Sequence, residues 1–464
     1  MEEDLRRKAE VLTKLAYTAW FALDFGAAIK HSQEALKLYQ KLGDLANVAK
    51  MHAHLARLTV GAPVGLGSEG KALEHAEAAL AILEPGPDTV DKALLYQLMA
   101  RLHLHKDESA TSVVWAQKAI GLFGKLDMFM GTSLGTSQAR VGEIDKGIEY
   151  QENNWEPTLQ SGNPSAIFFC GDDIVLTHTM VRNIPRALEW GERVLLEVTI
   201  IGDLGLGLIN RTLVITYTLS GQISKAMELW QYYEYESGVR KISRHPGLLE
   251  DSATPGFLYL RLGEWDKARE YLEWALSANE DRRNFVAANA CYITLGSLNL
   301  ELGNYPKAED LLLKSLGICH KGGNVVSELW VLPVLAELYL KMGQPEKAEE
   351  YVDRGFELLK PDKNWYGLPA PMYLAKGMLA TAQRNWRTAA ESFDKAIQIN
   401  RQYQLPWDEA KDLYERGLMY LARGRKAYRE KAHEDLDEAL TIFQKVGAKK
   451  DVEKVLRKKK RLGA

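Results

Sequence analysis

Five short stretches carry residue types whose spacing could do chemistry. Gly65, Gly67, Gly70 and Lys71 in GLGSEGKA have the glycine spacing of a loop that cradles phosphate with its backbone amides. Such a loop follows a strand and needs a hydroxyl after the lysine to reach magnesium. Here a helical pattern precedes it and Ala72 stands in the hydroxyl position. His52 with His54, and His103 with His105, Asp107 and Glu108, are metal-ligand types. Residues two apart on a helix point about 200° apart, so neither histidine pair chelates from one helix. Cys319 beside His320 has no elbow or Gly-rich oxyanion loop around it, which leaves a buried structural thiol. Asp172 and Asp173 are consecutive; on a helix they turn to different faces, so one can meet a partner while a shared acid–base site is disfavoured. No catalytic residue, metal or cofactor is expected.

The bulk properties agree. The chain has 464 residues, 46% hydrophobic and 26% charged, with a formal charge of −3 spread over many compensating side chains. No specific nucleic-acid or membrane partner follows from such a balance. Three scattered cysteines do not make a disulfide framework, the N-terminal MEEDLRRKAEVL lacks the apolar core of a signal peptide, and no apolar run reaches the roughly 18 residues of a membrane span. The expected location is the cytoplasm.

The elements that must position any site come from an internal repeat. GFLYLRLGEWDKAREYLEWAL from Gly256, GSLNLELGNYPKAEDLLLKSL from Gly296 and AELYLKMGQPEKAEEYVDRGF from Ala336 align without a gap at a spacing of 40. The pattern is a helical hairpin: an early small residue lets helix A approach its partner, Gly263, Gly303 or Gly343 ends that helix in the left-handed conformation, and Ala268, Ala308 or Ala348 sits where helix B crosses closest. Followed both ways, the last position reads Ala28, Ala72, Ser112, Gly147, Ala187, Ala226, Ala268, Ala308, Ala348, Ala389 and Ala432, in steps of 35 to 44 residues. One hairpin cannot bury its own faces, so about eleven must stack into an all-α solenoid. The β-branched, Gly-rich EVTIIGDLGLGLI from Glu197 resembles a strand, but the period places a helix, a turn and a helix there.

Leu295, Gly296, Gly303, Tyr305, Ala308 and Leu312 follow the small-and-large pattern of tetratricopeptide repeats, with Tyr292 where Trp is usual and Asn299 where Tyr is usual. Units near 40 residues, rather than about 34, resemble the lengthened repeats behind the ATPase module of bacterial signal-transduction ATPases, cyclase-linked regulators and MalT-type activators. The tail, YERGLMYLARG and then EKAHEDLDEALTIFQKVGAKKDVEKVL, is similar to the closing unit of those arrays. The resemblance implies one right-handed superhelical domain over 1–464, clearest over 211–400, with a basic capping helix at 448–464. It also implies a non-catalytic recognition or ligand-sensing part of a signalling regulator.

A solenoid recognises partners with the concave surface lined by its A helices. Counting from the aligned small residue, the groove positions of the middle units are Phe129, Phe169, Asp172, Leu176, Thr179, Arg211, Ile215, Thr218, Glu250, Phe257, Arg261, Glu301 and Trp330. This mixture of apolar walls and a few charges suits a protein or peptide partner, or a small-molecule effector; an off-by-one register would instead pack the apolar members between helices. Recurring basic groove residues that grip a partner's C-terminal carboxylate are missing from the pattern. Two alternatives stay open. In a peptide receptor of the quorum-sensing type, Asn210 and Arg211 would hold the peptide backbone, with Asn289 a weak second asparagine. In an enzyme, Asp172 would work with Arg211 or Glu250, and carboxylate pKa values would be strongly shifted. Three insertions interrupt the period: residues 61–70, KPDKNWYGLPAP from Lys360, and RKAYRE near Tyr428. Tyr17, Trp20 and Phe21 are expected to be exposed and covered by a partner.

Overall fold

The computed structural model describes residues 2–22, 24–61, 68–126, 133–201, 203–239 and 253–462. Among them it contains 23 α-helices and no strand. The hairpins are α1 (Glu2–Phe21) with α2 (Phe25–Leu42), α3 (Leu45–Gly61) with α4 (Glu69–Leu83), α5 (Val90–His105) with α6 (Ser109–Lys125), and α7 (Leu134–Arg140) with α8 (Ile144–Gln160). Then come α9 (Pro164–Met180) with α10 (Ile184–Ile201), α11 (Asp203–Leu219) with α12 (Ile223–Val239), α13 (Thr254–Leu262) with α14 (Trp265–Arg282), and α15 (Phe285–Glu301) with α16 (Tyr305–Gly322). The last three are α17 (Val325–Lys341) with α18 (Pro345–Leu358), α19 (Pro369–Ala382) with α20 (Trp386–Gln402), and α21 (Pro406–Arg423) with α22 (Lys426–Lys445); α23 (Lys449–Leu462) closes the stack. The strand-like stretch is the end of α10 and the start of α11. None of the described helices is long and apolar enough to cross a membrane.

All eleven repeat-defining small residues are buried near the start of a B helix. A larger side chain there would push the hairpin apart, which is why the position tolerates only Ala, Ser or Gly. The A-to-B turn is equally regular. Gly142, Gly221, Gly263, Gly303, Gly343 and Gly424 occupy it with positive φ, and Asp107, Arg182 and Arg384 adopt the same left-handed conformation at a cost of about 1 kcal/mol each. Successive A helices touch one another, α9 on α11, α11 on α13, α17 on α19, whereas successive B helices are held apart. A stack with its A helices closer than its B helices must curve with the A helices inside, and this fixes the concave face.

The curvature carries the chain through a full turn and back onto itself. From the second hairpin on, the turns of the early hairpins meet junctions between hairpins that follow them by about 180 to 225 residues. Asp107, in the α5–α6 turn, accepts from Arg140 Nη1 at 3.4 Å, from Asn289 Nδ2 at 3.0 Å and from Asn324 Nδ2, the α17 cap, at 2.6 Å. Gly322 is obligatory here, because a Cβ on it would overlap the Asp107 carbonyl oxygen. Arg282 donates to the Val60 carbonyl at 3.1 Å and to Glu69 at 3.3 Å. Leu405 packs between Ile184 and Leu219, and Lys449 pairs with Glu264 at 3.1 Å.

The insertion KPDKNWYGLPAP supplies part of this seam. Lys363 Nζ donates to the Gly142 carbonyl at 3.0 Å and to Glu143 at 2.5 Å, Tyr366 Oη donates to Asp145 at 2.8 Å, and the Gly367 amide donates to the Val181 carbonyl at 3.2 Å. Trp365, 6% exposed, packs with Ile144, Val181 and Leu368. The insertion near Tyr428 lengthens α22, with Tyr428 stacked on Tyr420, and residues 62–67 of the first insertion lie outside the described residues.

At the N-terminus the expectation of exposed aromatics needs correction. Tyr17 and Trp20 are half-buried around His54, with ring centroids at 4.1 and 5.4 Å, and the exposed apolar residues of α1 are Val11 and Leu15. The side chain of Phe21 lies outside the described residues.

Candidate recognition surface on the concave face

Two charged constellations occupy the concave side. The first is built by α5, α7, α9 and α11. Arg101 lies over the Phe169 ring at 4.3 Å, and Phe169 is 37% exposed. Asp172 accepts from Thr212 Oγ1 at 2.6 Å and has Arg211 Nη2 at 3.7 Å, too far for a firm hydrogen bond. Asp173 shares this environment: burial and then the charge of Asp172 push its carboxyl up to about 7, against the pull of Arg101, Thr136 and Arg140. The two aspartates turn to different neighbours, Thr212 of α11 and Thr136 of α7, as adjacency on one helix implies, and still feel each other's charge. Burial lowers the Arg101 pKa, with Asp173, Asp172 and Glu69 pulling the other way.

The second constellation lies where the two superhelical turns meet. Arg182 Nη2 approaches Asp408 at 2.7 Å, in an ion pair too bent for a hydrogen bond, and Arg261 approaches the same carboxylate at 3.5 Å. Burial opposes ionisation of Asp408, but the Arg182 and Arg261 charges outweigh it and hold the pKa low. Arg261 also stacks over Trp407 at 3.5 Å and Phe257 at 5.1 Å, and Arg182 over Trp330 at 5.1 Å. Trp330 Nε1 donates to the Met180 carbonyl at 2.9 Å. Lys411 donates to Glu337 at 2.6 Å, and Lys454 of α23 sits 3.8 Å from Glu301. Breaking one member of such a buried network would strand the others.

The sequence candidates thus divide. Phe169, Asp172 and Arg211 are together on the concave surface of the first turn, with Leu176 and Ile215 half-buried nearby in the stack. Phe257, Arg261, Trp330 and Glu301 belong to the contact between turns. Thr179 and Thr218 are 3% and 2% exposed and donate back to the Val175 and Val214 carbonyls, and Thr179 also shares a 2.7 Å hydrogen bond with Thr216 of α11, so both hydroxyls are committed inside the stack. Phe129 and Glu250 lie outside the described residues. Arg101, Arg182, Glu337 and Asp408 escaped the sequence reading. A signal for two of them existed: Arg101 and Glu337 stand six residues before the turn residues Asp107 and Gly343, as Phe257 stands before Gly263.

Most of the remaining chemical candidates have structural partners; His54 is buried with neither ring nitrogen bonded. His52 meets His75 at 3.0 Å, His103 meets Glu108 at 2.7 Å, and among the described residues no group of three or more His, Cys, Asp or Glu could hold a metal. Cys319 is buried, which pushes its thiol up to about 12, and it accepts from Asn289 Nδ2 at 3.2 Å. Asn289 also bonds Asp107 and Ser315, which commits it to the seam and removes it from any pair of peptide-holding asparagines.

Residues 288–360 match the tetratricopeptide repeat family, placing α15 to α18 in that class. The chain is similar in fold to a chain of the APC/C hetero-tetramer Cut9–Hcn1, at 14% identity over 97% of this chain and 96% of that one, with a TM-score of 0.34. It is similar also to a Rap protein complexed with competence and sporulation factor, at 13% identity over 96% and 99% and a TM-score of 0.35. A third similar structure is YrrB, described as a tetratricopeptide protein with an unusual peptide-binding site, at 23% identity over 45% and 93% and a TM-score of 0.24. No curated protein matches the sequence significantly.

Proposed function

We propose that the chain is a non-catalytic interaction scaffold that recognises a protein or peptide segment on the concave face at Arg101, Phe169, Asp172, Asp173 and Arg211. The observation that carries this reading is the incomplete internal pairing of these groups. Arg211 is loosely paired with Asp172, Arg101 rests on an aromatic ring that is itself 37% exposed, and two adjacent carboxylates share one neighbourhood. A surface of this kind offers an arginine fork for a carboxylate or carbonyl, a carboxylate for a cationic side chain, and an aromatic face between them. The raised pKa of Asp173 follows from burial and a like charge. The role of sensory part in a larger signalling regulator rests on the repeat length and the resemblance of the tail.

The test is affinity capture with the whole chain and with an R101A/R211A variant, read by quantitative mass spectrometry. The reading expects partners enriched by the native chain and lost from the variant while α-helical content is unchanged. Partners retained equally by both proteins would move recognition to another surface.

A further inference from the structure

A second site stands apart from this surface, in the first three hairpins. A cavity of about 340 Å³ opens between α1, α3 and α5, lined by Thr13, Tyr17, Lys50, Met51, Arg57 and Leu83 among others. Asn47, Lys50, His54 and Arg57 recur along one face of α3 at steps of three, four and three residues. The Arg57 guanidinium is half-buried at the cavity and, among the described residues, has no hydrogen-bond or ion-pair partner; Tyr17 and Asp91 act on it only at longer range. Asp91 is engaged by Lys50 at 3.7 Å. Behind the wall, His54 is fully buried against Tyr17, both its ring nitrogens lack a partner, and burial followed by the Arg57 charge holds its pKa down at about 4. The same cavity is lined by the apolar side chains of Met51, Ala53 and Leu83. A planar fork of donors beside an apolar patch in one cavity is complementary to a carboxylate on a short apolar stem.

We propose that this pocket binds a small organic acid, its carboxylate seated on Arg57 and its aliphatic stem against Met51, Ala53 and Leu83. Such a ligand makes the cavity between α1, α3 and α5 an effector site distinct from the concave surface at Arg101, Phe169 and Arg211. Calorimetric titration of the full chain with 4-methylpentanoate and with 4-methylpentanamide separates the charge from the stem. The acid is expected to bind at least about tenfold more tightly than the amide. R57Q is expected to abolish that preference, R57K to retain part of it, and L83W, which fills the apolar end without touching the guanidinium, to weaken both ligands. Thermal melts of the three variants verify that each is folded. Equal binding of acid and amide, unchanged binding by R57Q, or no binding of either ligand would overturn the proposal. A leucine-ended peptide that binds through its free C-terminus, while 4-methylpentanoate does not, would overturn the small-acid assignment in favour of a chain terminus.

Discussion

Asp173 shows how much the stack adds to a residue's sequence reading. Adjacent aspartates on a helix turn to different faces, Asp172 to Thr212 of α11 and Asp173 to Thr136 of α7, yet the curvature of the stack brings α5, α7 and α11 around α9, so both carboxylates see Arg101. Adjacency gives the direction of each side chain; it does not say what the superhelix delivers to that direction. The consequence for pH can be signed. The carboxyl is raised from its ordinary 3.8 to about 7 on folding, so the native state holds a proton that the unfolded chain releases, and stability falls as pH rises through that window. D173N removes this penalty. It is expected to stabilise the chain by on the order of 1–2 kcal/mol at pH 8 and to be neutral below about pH 4, in urea melts at the two pH values. Arg384 offers a second residue-scale check. It is exposed, at φ +58, in a turn position that other hairpins fill with glycine. R384G should raise stability by about 0.5–1 kcal/mol, read as a shifted denaturation midpoint.

At the scale of elements, the hairpins were legible because their cause is local. A small residue at each crossing and a left-handed residue at each turn are requirements of two-helix packing, and they recur wherever the packing recurs. The stretch from Glu197 was legible for the same reason, since the period outweighed its β-branched residues. The insertion from Lys360 was visible as a departure, but its role was not, because Trp365, Lys363 and Tyr366 find their partners some 220 residues earlier in the chain. A loop is read from sequence as a spacer; here it is a staple. W365A should therefore cost about 3–5 kcal/mol, as for a buried core aromatic. Hydrogen exchange should accelerate in the α7–α8 turn as well as in the loop itself, whereas a loop that served only its own hairpins would change exchange only locally.

The whole molecule is a single stack in which the later hairpins lie against the earlier ones along one seam. Nothing in a 40-residue period states the pitch of the superhelix, which accumulates from small rotations at each interface. This is why the sequence could place Phe169, Asp172 and Arg211 on the concave face but could not foresee that Arg261, Trp330 and Glu301 would be spent on contacts between turns. The seam is rich in polar groups, with Asp107 at its centre accepting from three different hairpins. Burial raises the Asp107 pKa, with Arg140, Asn324 and Asn289 opposing it, so specific geometry rather than bulk apolar burial defines this joint.

The most direct test of this architecture is zero-length carbodiimide coupling of the purified chain, followed by mapping of the joined peptides. Such coupling links only an amine and a carboxylate already in contact. The closed stack requires Lys363 joined to Glu143 and Lys449 to Glu264, pairs whose amines and carboxylates lie at 2.5 and 3.1 Å. Recovery of couplings confined to neighbouring hairpins, with those two pairs missing, would show an open solenoid and contradict the account.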